Sequence, residues 1–213
     1  MEIRDAVPED APAGCAVMRR SIAELCVADH KNDPSILTRW LGNKTVENFV
    51  AWINQPDNSL LVAVEGGKIL AVGSVTDAGS IGLNYVSPDA RFRGVSRALL
   101  RALEARAIAR NNSQCTLTST ETARQFYLSN GYILSGAASG AFGTGALAIR
   151  WPNHSLALTN VLDERQRKQG MVATGRMRAR ASDHRSPLYQ QADLCVLAGL
   201  SGLFGDRLHM PYT

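Results

Sequence analysis

The sequence lacks the spacings that mark metal sites. Its four cysteines, Cys15, Cys26, Cys115 and Cys195, stand singly among apolar neighbours, without the C-x-x-C spacing of a zinc site. We therefore expect buried free thiols in a reducing compartment. The four histidines lie far apart, and no two of them are three or four residues from each other. No metal site is predicted.

Segments typical of export or membrane insertion are also missing. The N-terminal segment MEIRDAVPEDAP is acidic and has no apolar core, which argues against a signal peptide. The longest apolar stretch, Leu194 to Phe204, is too short and too rich in glycine to span a bilayer. We expect a cytoplasmic protein with no membrane partner.

Excess charge of either sign is small. The net charge is +4 over 213 residues, which permits a phosphate-bearing ligand but does not by itself favour nucleic acid. Hydrophobic residues make up 45% of the chain and charged residues 20%, as in ordinary globular domains. The length suits one full domain with an extension, or two small domains.

Hydrophobic periodicity predicts helices early in the chain and strands after them. A short strand in MEIRDAV precedes a helical pattern over 11–29, and a second helix runs through TVENFVAWI with Thr45 as its N-cap. Gly66-Gly67 predicts a hairpin turn. Three strand-like runs form a meander around and after it, at 59–65, 68–76 and 80–87.

The most regular helical pattern covers 96–110 and lies between strands at 80–86 and 114–119. A crossover of this length makes its two strands parallel and its hand right-handed. A short helix at 121–130, closed by Gly131, and strands in GYILSG and GALAIRW follow. The predicted fold class is α/β (α+β), a mixed, mostly antiparallel sheet with one central parallel β-α-β pair, flanked by helices.

The segment RFRGVSRALL, residues 91–100, has the components of a pyrophosphate-binding turn. The first turn of a helix leaves backbone N–H groups unpaired, and the dipole adds positive charge there. Gly94 would let an anion approach the backbone, and Arg91 and Arg93 would add charge-assisted bonds. No P-loop motif and no helix-opening G-x-G-x-x-G is present, and the glycine-rich segment 136–145 is interpreted as a flexible connection between strands.

Two ordered motifs resemble those of the GNAT superfamily of N-acetyltransferases. NYVSPDARFRGVSRALLRALE is similar to the family's acyl-CoA-binding motif, in which a strand leads through V-x-P and [RQ]-x-x-G-x-[GA] into a helix. The matching residues are Val86, Pro88, Arg91 and Gly94, and Ser96 stands where glycine or alanine is usual. TARQFYLSNGY resembles the later A-x-x-F-Y-x-x-x-G-[FY] segment through Ala123, Phe126, Tyr127, Gly131 and Tyr132. The resemblance covers roughly residues 1–150 and implies a GNAT-type fold there.

The resemblance implies acetyl transfer from acetyl-CoA to a primary amine, by direct attack on the thioester. It implies that Tyr127 is the general acid, since a phenol keeps its proton at neutral pH. The strand before the loop typically splays from its parallel neighbour and holds the cofactor through its main chain. The implied cofactor-binding residues are Asn84, Tyr85, Val86, Arg91, Phe92, Arg93, Gly94, Val95, Ser96, Arg97 and Thr120, the last where many members carry asparagine.

Several assignments stay open. The general base could be Glu65, Asp29, His30, Asp33 or a water chain, and the acceptor could be a small-molecule or a peptide amine. A homodimer is a further expectation. The rival interpretation is a non-catalytic acyl-CoA-binding regulatory module, whereas the near-balanced charge disfavours nucleic acid.

Residues 151–213 form an atypical C-terminal extension. The segment is polar and arginine-rich and shows little sustained periodicity. Disorder, an accessory helix or a shifted reading frame would each be compatible with such a segment.

Overall fold

The computed structural model of the chain describes residues 1–136 and 145–150. The strands are β1 (Glu2–Asp5), β2 (Asn58–Glu65), β3 (Lys68–Thr76), β4 (Ile81–Val86), β5 (Gln114–Ser119), β6 (Ile133–Gly136) and β7 (Gly145–Arg150). The α-helices are α1 (Ala11–Arg20), α2 (Val27–His30), α3 (Pro34–Leu41), α4 (Val46–Ile53), α5 (Val95–Ala109) and α6 (Glu121–Ser129). The predicted extension, 151–213, and most of the predicted glycine-rich connection lie outside the described residues.

Two antiparallel sheets make up the strand layer. One has the order β1-β2-β3-β4 and the other the order β5-β7-β6. They meet where Ser80 forms a parallel bridge with Thr116, whose N–H donates to the carbonyl of Gly79 at 3.0 Å. Past this bridge β4 and β5 no longer pair, and the space between their carboxyl-terminal halves is here called the β4–β5 wedge. The predicted mixed sheet with one central parallel pair, flanked by helices, is confirmed, and so is the splay between the two strands.

Both faces of the central strands are buried, which explains their long apolar runs. On one face α5 packs closely over β3 because Gly73 has no side chain. A Cβ at Gly73 would lie 2.9 Å from Cδ1 of Leu103 and 3.0 Å from Cδ2 of Leu99. On the other face α1, α3 and α4 bury a second core that includes Trp40, Phe49 and Tyr85.

The predicted helix over 11–29 is wrong as one continuous element. Helix α1 ends at Arg20, a π-helical stretch covers Ser21–Leu25, and α2 follows. Helix α3 has no counterpart among the predicted elements, because a proline such as Pro34 is equally compatible with a break in the chain. Pro34 is instead the first residue of α3, a position where its missing N–H costs nothing, and the Asp33 carboxylate caps the helix by accepting from Ser35 N–H at 2.8 Å.

The remaining predicted elements agree with the structure to within two residues at each end. The Thr45 N-cap is confirmed, since its hydroxyl oxygen accepts from the N–H of Asn48 at 3.2 Å. The free thiols are confirmed at Cys15 and Cys115, which are buried, and burial raises the pKa of the Cys115 thiol to about 12. The prediction is wrong at Cys26, which is buried but disulfide-bonded, and Cys195 lies outside the described residues.

Candidate functional site

The start of α5 presents an uncapped helix N-terminus with open space above it. Gly94 is the N-cap residue and adopts the left-handed region with φ 73°, and no side chain caps the first turn. A Cβ built on Gly94 would meet no atom within 4 Å. The helix is 15 residues long, so its first N–H groups and its dipole both favour an anion at this point.

The loop before Gly94 contains three of the predicted cofactor-binding residues, Arg91, Phe92 and Arg93. Arg91 is half-buried, its Nε is buried without a hydrogen-bond partner, and its guanidinium carbon lies 4.6 Å from the centroid of the Phe92 ring. Phe92 has φ 60° and is 58% exposed. Arg93 is exposed and forms an ion pair with Glu65. The buried Nε of Arg91 is therefore a donor that a ligand could use, whereas Arg93 already has a carboxylate partner.

The first turn of α5 carries two of the predicted cofactor-binding residues that are buried. Val95 and Ser96 are each 1% exposed. Val95 belongs to the core between α5 and the sheet. The Ser96 hydroxyl oxygen is buried without a hydrogen-bond partner, so it is a second polar group here with unused capacity. Serine at this position adds a hydroxyl that glycine or alanine would not supply.

Strand β4 turns two main-chain donors toward the wedge. The N–H of Ser87 donates to the carbonyl of Leu70 on β3 at 2.7 Å. Because N–H groups alternate in direction along a strand, those of Asn84 and Val86 point away from β3 and toward the wedge. The side chain of Tyr85 lies on the opposite face, where its hydroxyl accepts from Trp40 Nε1 at 3.4 Å.

The floor of the wedge contains a hydrogen bond between β4 and α6. Asn84 Nδ2 donates to the Tyr127 hydroxyl oxygen at 3.2 Å, and the two residues are 1% and 0% exposed. The Tyr127 ring packs edge-on against Phe126 and Tyr132, with centroids 5.0 Å and 5.5 Å away. Burial raises the pKa of Tyr127 and the bond from Asn84 opposes that shift. The phenol is therefore protonated at neutral pH and can donate.

Sequence reasoning assigned Asn84 a main-chain role and missed its side chain. The signal was available, because asparagine is the one strongly polar residue within IGLNYV, a strand that is buried throughout. A buried amide is costly unless it is hydrogen-bonded, so such a residue predicts a polar partner.

Thr120 lies at the junction of β5 and α6. It is fully buried, and its hydroxyl oxygen accepts from the N–H of Ala123 at 3.2 Å, as the N-cap of α6. The cap fixes the start of the helix that carries Tyr127. Thr120 thus positions Tyr127 through the backbone, whatever contact it makes with a ligand.

The three carboxylates considered as general bases have structural partners. Glu65 pairs with Arg93, and the Arg93 guanidinium holds the pKa of that carboxyl below its ordinary value. Asp33 caps α3. Asp29 accepts from the N–H of Glu121 at 2.8 Å and from the hydroxyl of Thr122, and so ties α2 to the start of α6. None of these hydrogen bonds and ion pairs involves Tyr127 or Asn84.

His30 presents a donor rather than an acceptor. It is fully buried, and its Nδ1 accepts from the N–H of Asn32 at 3.0 Å. Nδ1 must therefore hold its lone pair, and the proton of the neutral ring lies on Nε2. Nε2 is buried without a hydrogen-bond partner. In this tautomer Nε2 cannot take a proton from an amine.

A surface cavity of about 310 Å³ lies between α5 and the end of α6. Its lining residues are Arg97, Leu100, Arg101, Glu104, Ser129 and Asn130. Glu104 Oε1 accepts from the Tyr132 hydroxyl at 3.0 Å, and burial raises the pKa of the Glu104 carboxyl to about 7. The cavity thus combines two guanidinium groups with a carboxyl that changes charge near neutral pH.

The raised pKa of Glu104 predicts a pH dependence of stability. A carboxyl whose pKa rises from 4.5 unfolded to about 7 folded stabilises the protein fully below 4.5, and that contribution is lost as the pH rises through 7. We expect the Tm to fall between pH 5 and pH 8. We expect Glu104→Gln, which stays neutral, to flatten the fall when Tm is measured by calorimetry.

Glu47→Gln is the matched control, because Glu47 is an exposed helix glutamate whose pKa is lowered by a hydrogen bond to its own backbone. That variant should leave the fall in Tm between pH 5 and pH 8 in place. Equal slopes in wild type and Glu104→Gln would contradict the assignment.

Two negative observations apply to residues 1–136 and 145–150. In that part of the chain, no three or more histidine, cysteine, aspartate or glutamate side chains are grouped so that they could hold a metal ion. Over the same residues, none of the helices combines the length and the apolar character needed to cross a membrane.

Comparisons with known proteins give one family and several solved structures. The model of an acetyltransferase (GNAT) domain matches residues 28–143. A GCN5-related N-acetyltransferase from Rhodopseudomonas palustris is 24% identical with a TM-score of 0.62, covering 70% of this chain and 94% of that one. No curated protein matches the chain by sequence.

Two further solved structures contain a ligand according to their descriptions. PaiA N-acetyltransferase from Thermoplasma acidophilum, in complex with coenzyme A, is 16% identical with a TM-score of 0.61, covering 70% of this chain and 98% of that one. YncA from Salmonella typhimurium, with its cofactor acetyl-CoA, is 19% identical with a TM-score of 0.54, covering 72% of this chain and 95% of that one. At these identities the similarity establishes the fold.

Proposed function

Because the chain belongs to the GNAT acetyltransferase family, we propose that it transfers an acetyl group from acetyl-CoA to the nitrogen of a primary amine. The observation that carries this proposal is the position of the Tyr127 hydroxyl. Asn84 holds it on the floor of the β4–β5 wedge, and the strand that carries Asn84 leads directly into the glycine turn of α5. Under this proposal Tyr127 would donate a proton beside β4, and the turn between β4 and α5 would bind the diphosphate.

The polar groups of the glycine turn fit the diphosphate of acetyl-CoA. The first turn of α5 is uncapped, and the space at Gly94 is open. Nε of Arg91 and the hydroxyl of Ser96 are buried without hydrogen-bond partners, an arrangement that a bound anion would complete. Arg97, together with Arg101 in the cavity beside α6, would neutralise further phosphate charge.

The remaining groups of the wedge suit the acyl end of the same molecule. The N–H groups of Asn84 and Val86 would donate to the pantetheine and to the thioester carbonyl, where negative charge develops during attack. The amine nitrogen forms a bond to the carbonyl carbon, the carbon–sulfur bond breaks, and the Tyr127 proton passes to sulfur. The proton released by the amine passes to water or to a base, and Tyr127 regains a proton from solvent. Positioning and proton donation together account for the expected acceleration.

Binding and turnover of the wild-type protein test this proposal. We expect saturable binding of acetyl-CoA by calorimetry, and thiol release that depends on one member of a panel of small amines and N-terminal peptides. S-acetyl-N-acetylcysteamine, a thioester without the nucleotide, should be used far less efficiently, because the turn at Gly94 has no phosphate to bind.

Two outcomes would count against the proposal in different ways. A folded sample that binds no acetyl-CoA would exclude it. Saturable binding without thiol release on any amine of the panel would favour the regulatory module considered above, which keeps the cofactor site and has lost turnover. The acceptor panel should therefore include both small amines and peptides.

A further inference from the structure

Asn84 contributes to the wedge a side-chain amide, which has both donors and an acceptor. Its position opposite Gly73 places it on the sheet face that α5 covers. It is 1% exposed, its Nδ2 donates to Tyr127, and its Oδ1 is buried without a hydrogen-bond partner. Burial of an amide whose carbonyl oxygen has no partner is unfavourable unless a ligand or water completes it.

The direction of this hydrogen bond decides where the phenolic proton can go. A hydroxyl group has one donor and two lone pairs, and Asn84 occupies a lone pair of the Tyr127 oxygen. The proton is therefore not used toward Asn84. Within the described part of the chain, the Tyr127 hydroxyl donates to no acceptor, so its proton is available to a bound molecule.

We propose that Asn84 is a positioning residue, whose side-chain amide holds the Tyr127 oxygen and directs the phenolic proton at the sulfur of the departing thiolate. This inference rests on the proposed function. As the proton leaves, negative charge grows on the phenolic oxygen, and the Asn84 N–H stabilises that charge. Asn84 Oδ1 in turn offers an acceptor to an N–H of the bound cofactor or amine.

A purely structural pair would behave differently. In a purely structural pair, each buried polar atom is expected to have at least one hydrogen-bond partner. Here the Asn84 carbonyl oxygen and the Tyr127 proton both lack partners among the described residues. The arrangement therefore offers one acceptor and one donor to a bound molecule.

Two substitutions at position 84 distinguish loss of the hydrogen-bond donor from a change in side-chain volume. Asn84→Leu keeps a similar size and removes the donor. Loss of a hydrogen bond to a group that gains charge lowers kcat roughly 10- to 100-fold, while the KM for acetyl-CoA stays within about threefold. Asn84→Asp replaces the donor with a carboxylate that accepts the phenolic proton and withholds it from sulfur.

The pH profile identifies the role of the donor. A protonated carboxyl at position 84 is again a donor, so the ratio of the Asn84→Asp rate to the wild-type rate should increase as the pH falls. Taking the ratio at each pH removes the protonation of the amine, which is common to both proteins. A ratio that is constant with pH, or a wild-type rate in Asn84→Asp, would overturn the inference.

A double-substitution cycle shows whether Asn84 acts through Tyr127. If it does, Asn84→Leu should have little further effect once Tyr127 is phenylalanine. If the two substitutions instead lower kcat by factors that multiply in the double variant, the inference is contradicted. Thermal unfolding of each variant provides a check on folding, and Asn84→Ala serves in place of Asn84→Leu if the latter does not fold.

A binding measurement distinguishes failure of this inference from failure of the proposed function. We expect wild type to bind coenzyme A more tightly than desulfo-coenzyme A, and we expect Asn84→Leu and Tyr127→Phe to lose most of that difference. No binding of coenzyme A by wild type would overturn the proposed function, and the inference with it. If the affinity ratio of coenzyme A to desulfo-coenzyme A is the same in wild type and Asn84→Leu, the inference is overturned and the proposed function is not.

Discussion

Replacement of Tyr127 with phenylalanine is expected to lower kcat by about a hundredfold or more, because general acid catalysis typically contributes 10²- to 10⁴-fold. The aromatic ring still packs against Phe126 and Tyr132, so the core changes little. Only the hydroxyl and its bond from Asn84 are removed, at a cost of about 1 kcal/mol in the free energy of unfolding. The measurement is thiol release at saturating acetyl-CoA and amine, with acetyl-CoA affinity by calorimetry as the second readout.

Tyr132→Phe provides the matched control for this variant. Tyr132 is also a buried tyrosine with one side-chain hydrogen bond, at 3.0 Å to Glu104, and its ring contacts the same Tyr127. Its hydroxyl bonds to a residue of α5 and not to β4. We expect kcat within about threefold of wild type for this control. A Tyr127→Phe protein with wild-type kcat would show that another group protonates the thiolate.

Gly94→Trp is expected to weaken acetyl-CoA binding by at least about a hundredfold, which corresponds to about 2.7 kcal/mol or more of binding free energy. The indole would fill the open space above the first turn of α5, where a Cβ added to Gly94 would have no atom within 4 Å. The backbone N–H groups of Val95 and Ser96 would then be closed to a diphosphate. Calorimetric titration with acetyl-CoA gives the dissociation constant directly.

Gly67→Trp controls for backbone strain. Gly67 has φ 74°, almost the same as the 73° of Gly94, and it also has no atom within 4 Å of an added Cβ. A side chain in the left-handed region costs about 1–2 kcal/mol at either position, so the two variants should lose similar stability. Only Gly94→Trp should lose binding. Equal affinities in the two variants would remove Gly94 from the cofactor site.

The parts of the fold that local signals determine were predictable from sequence. Helix α5 has a glycine at its entry and a regular apolar face, and β3 has turn residues on both sides, so their bounds were predicted to within one residue. Helix α3 was missed because its proline is compatible with both a break and a first helical position. Only the capping carboxylate of Asp33, together with the packing of Trp40 into the second core, decides between them.

In the candidate site too, features set by neighbouring residues were predictable from sequence, and features set by long-range packing were not. The glycine turn around Gly94 is contiguous in sequence, so its motif predicts its geometry. The bond between Asn84 and Tyr127 joins residues 43 positions apart, and it depends on how α6 packs against β4. The raised pKa of Glu104 likewise depends on burial beside Tyr132, which no local pattern encodes. Long-range packing therefore determines the properties of these side chains, even where their identity was available.

The single bridge between Ser80 and Thr116 leaves the two sheets with little direct backbone hydrogen bonding between them. Within each of the two described sheets, neighbouring strands pair over several residues. Between β4 and β5 the described structure has one isolated bridge. Under the proposed function, the extended chain of acetyl-CoA would lie between β4 and β5 and hydrogen-bond to their backbones. Ligand binding would then add direct bonds between two sheets that already share one hydrophobic core, so that substrate loading would also stabilise the fold.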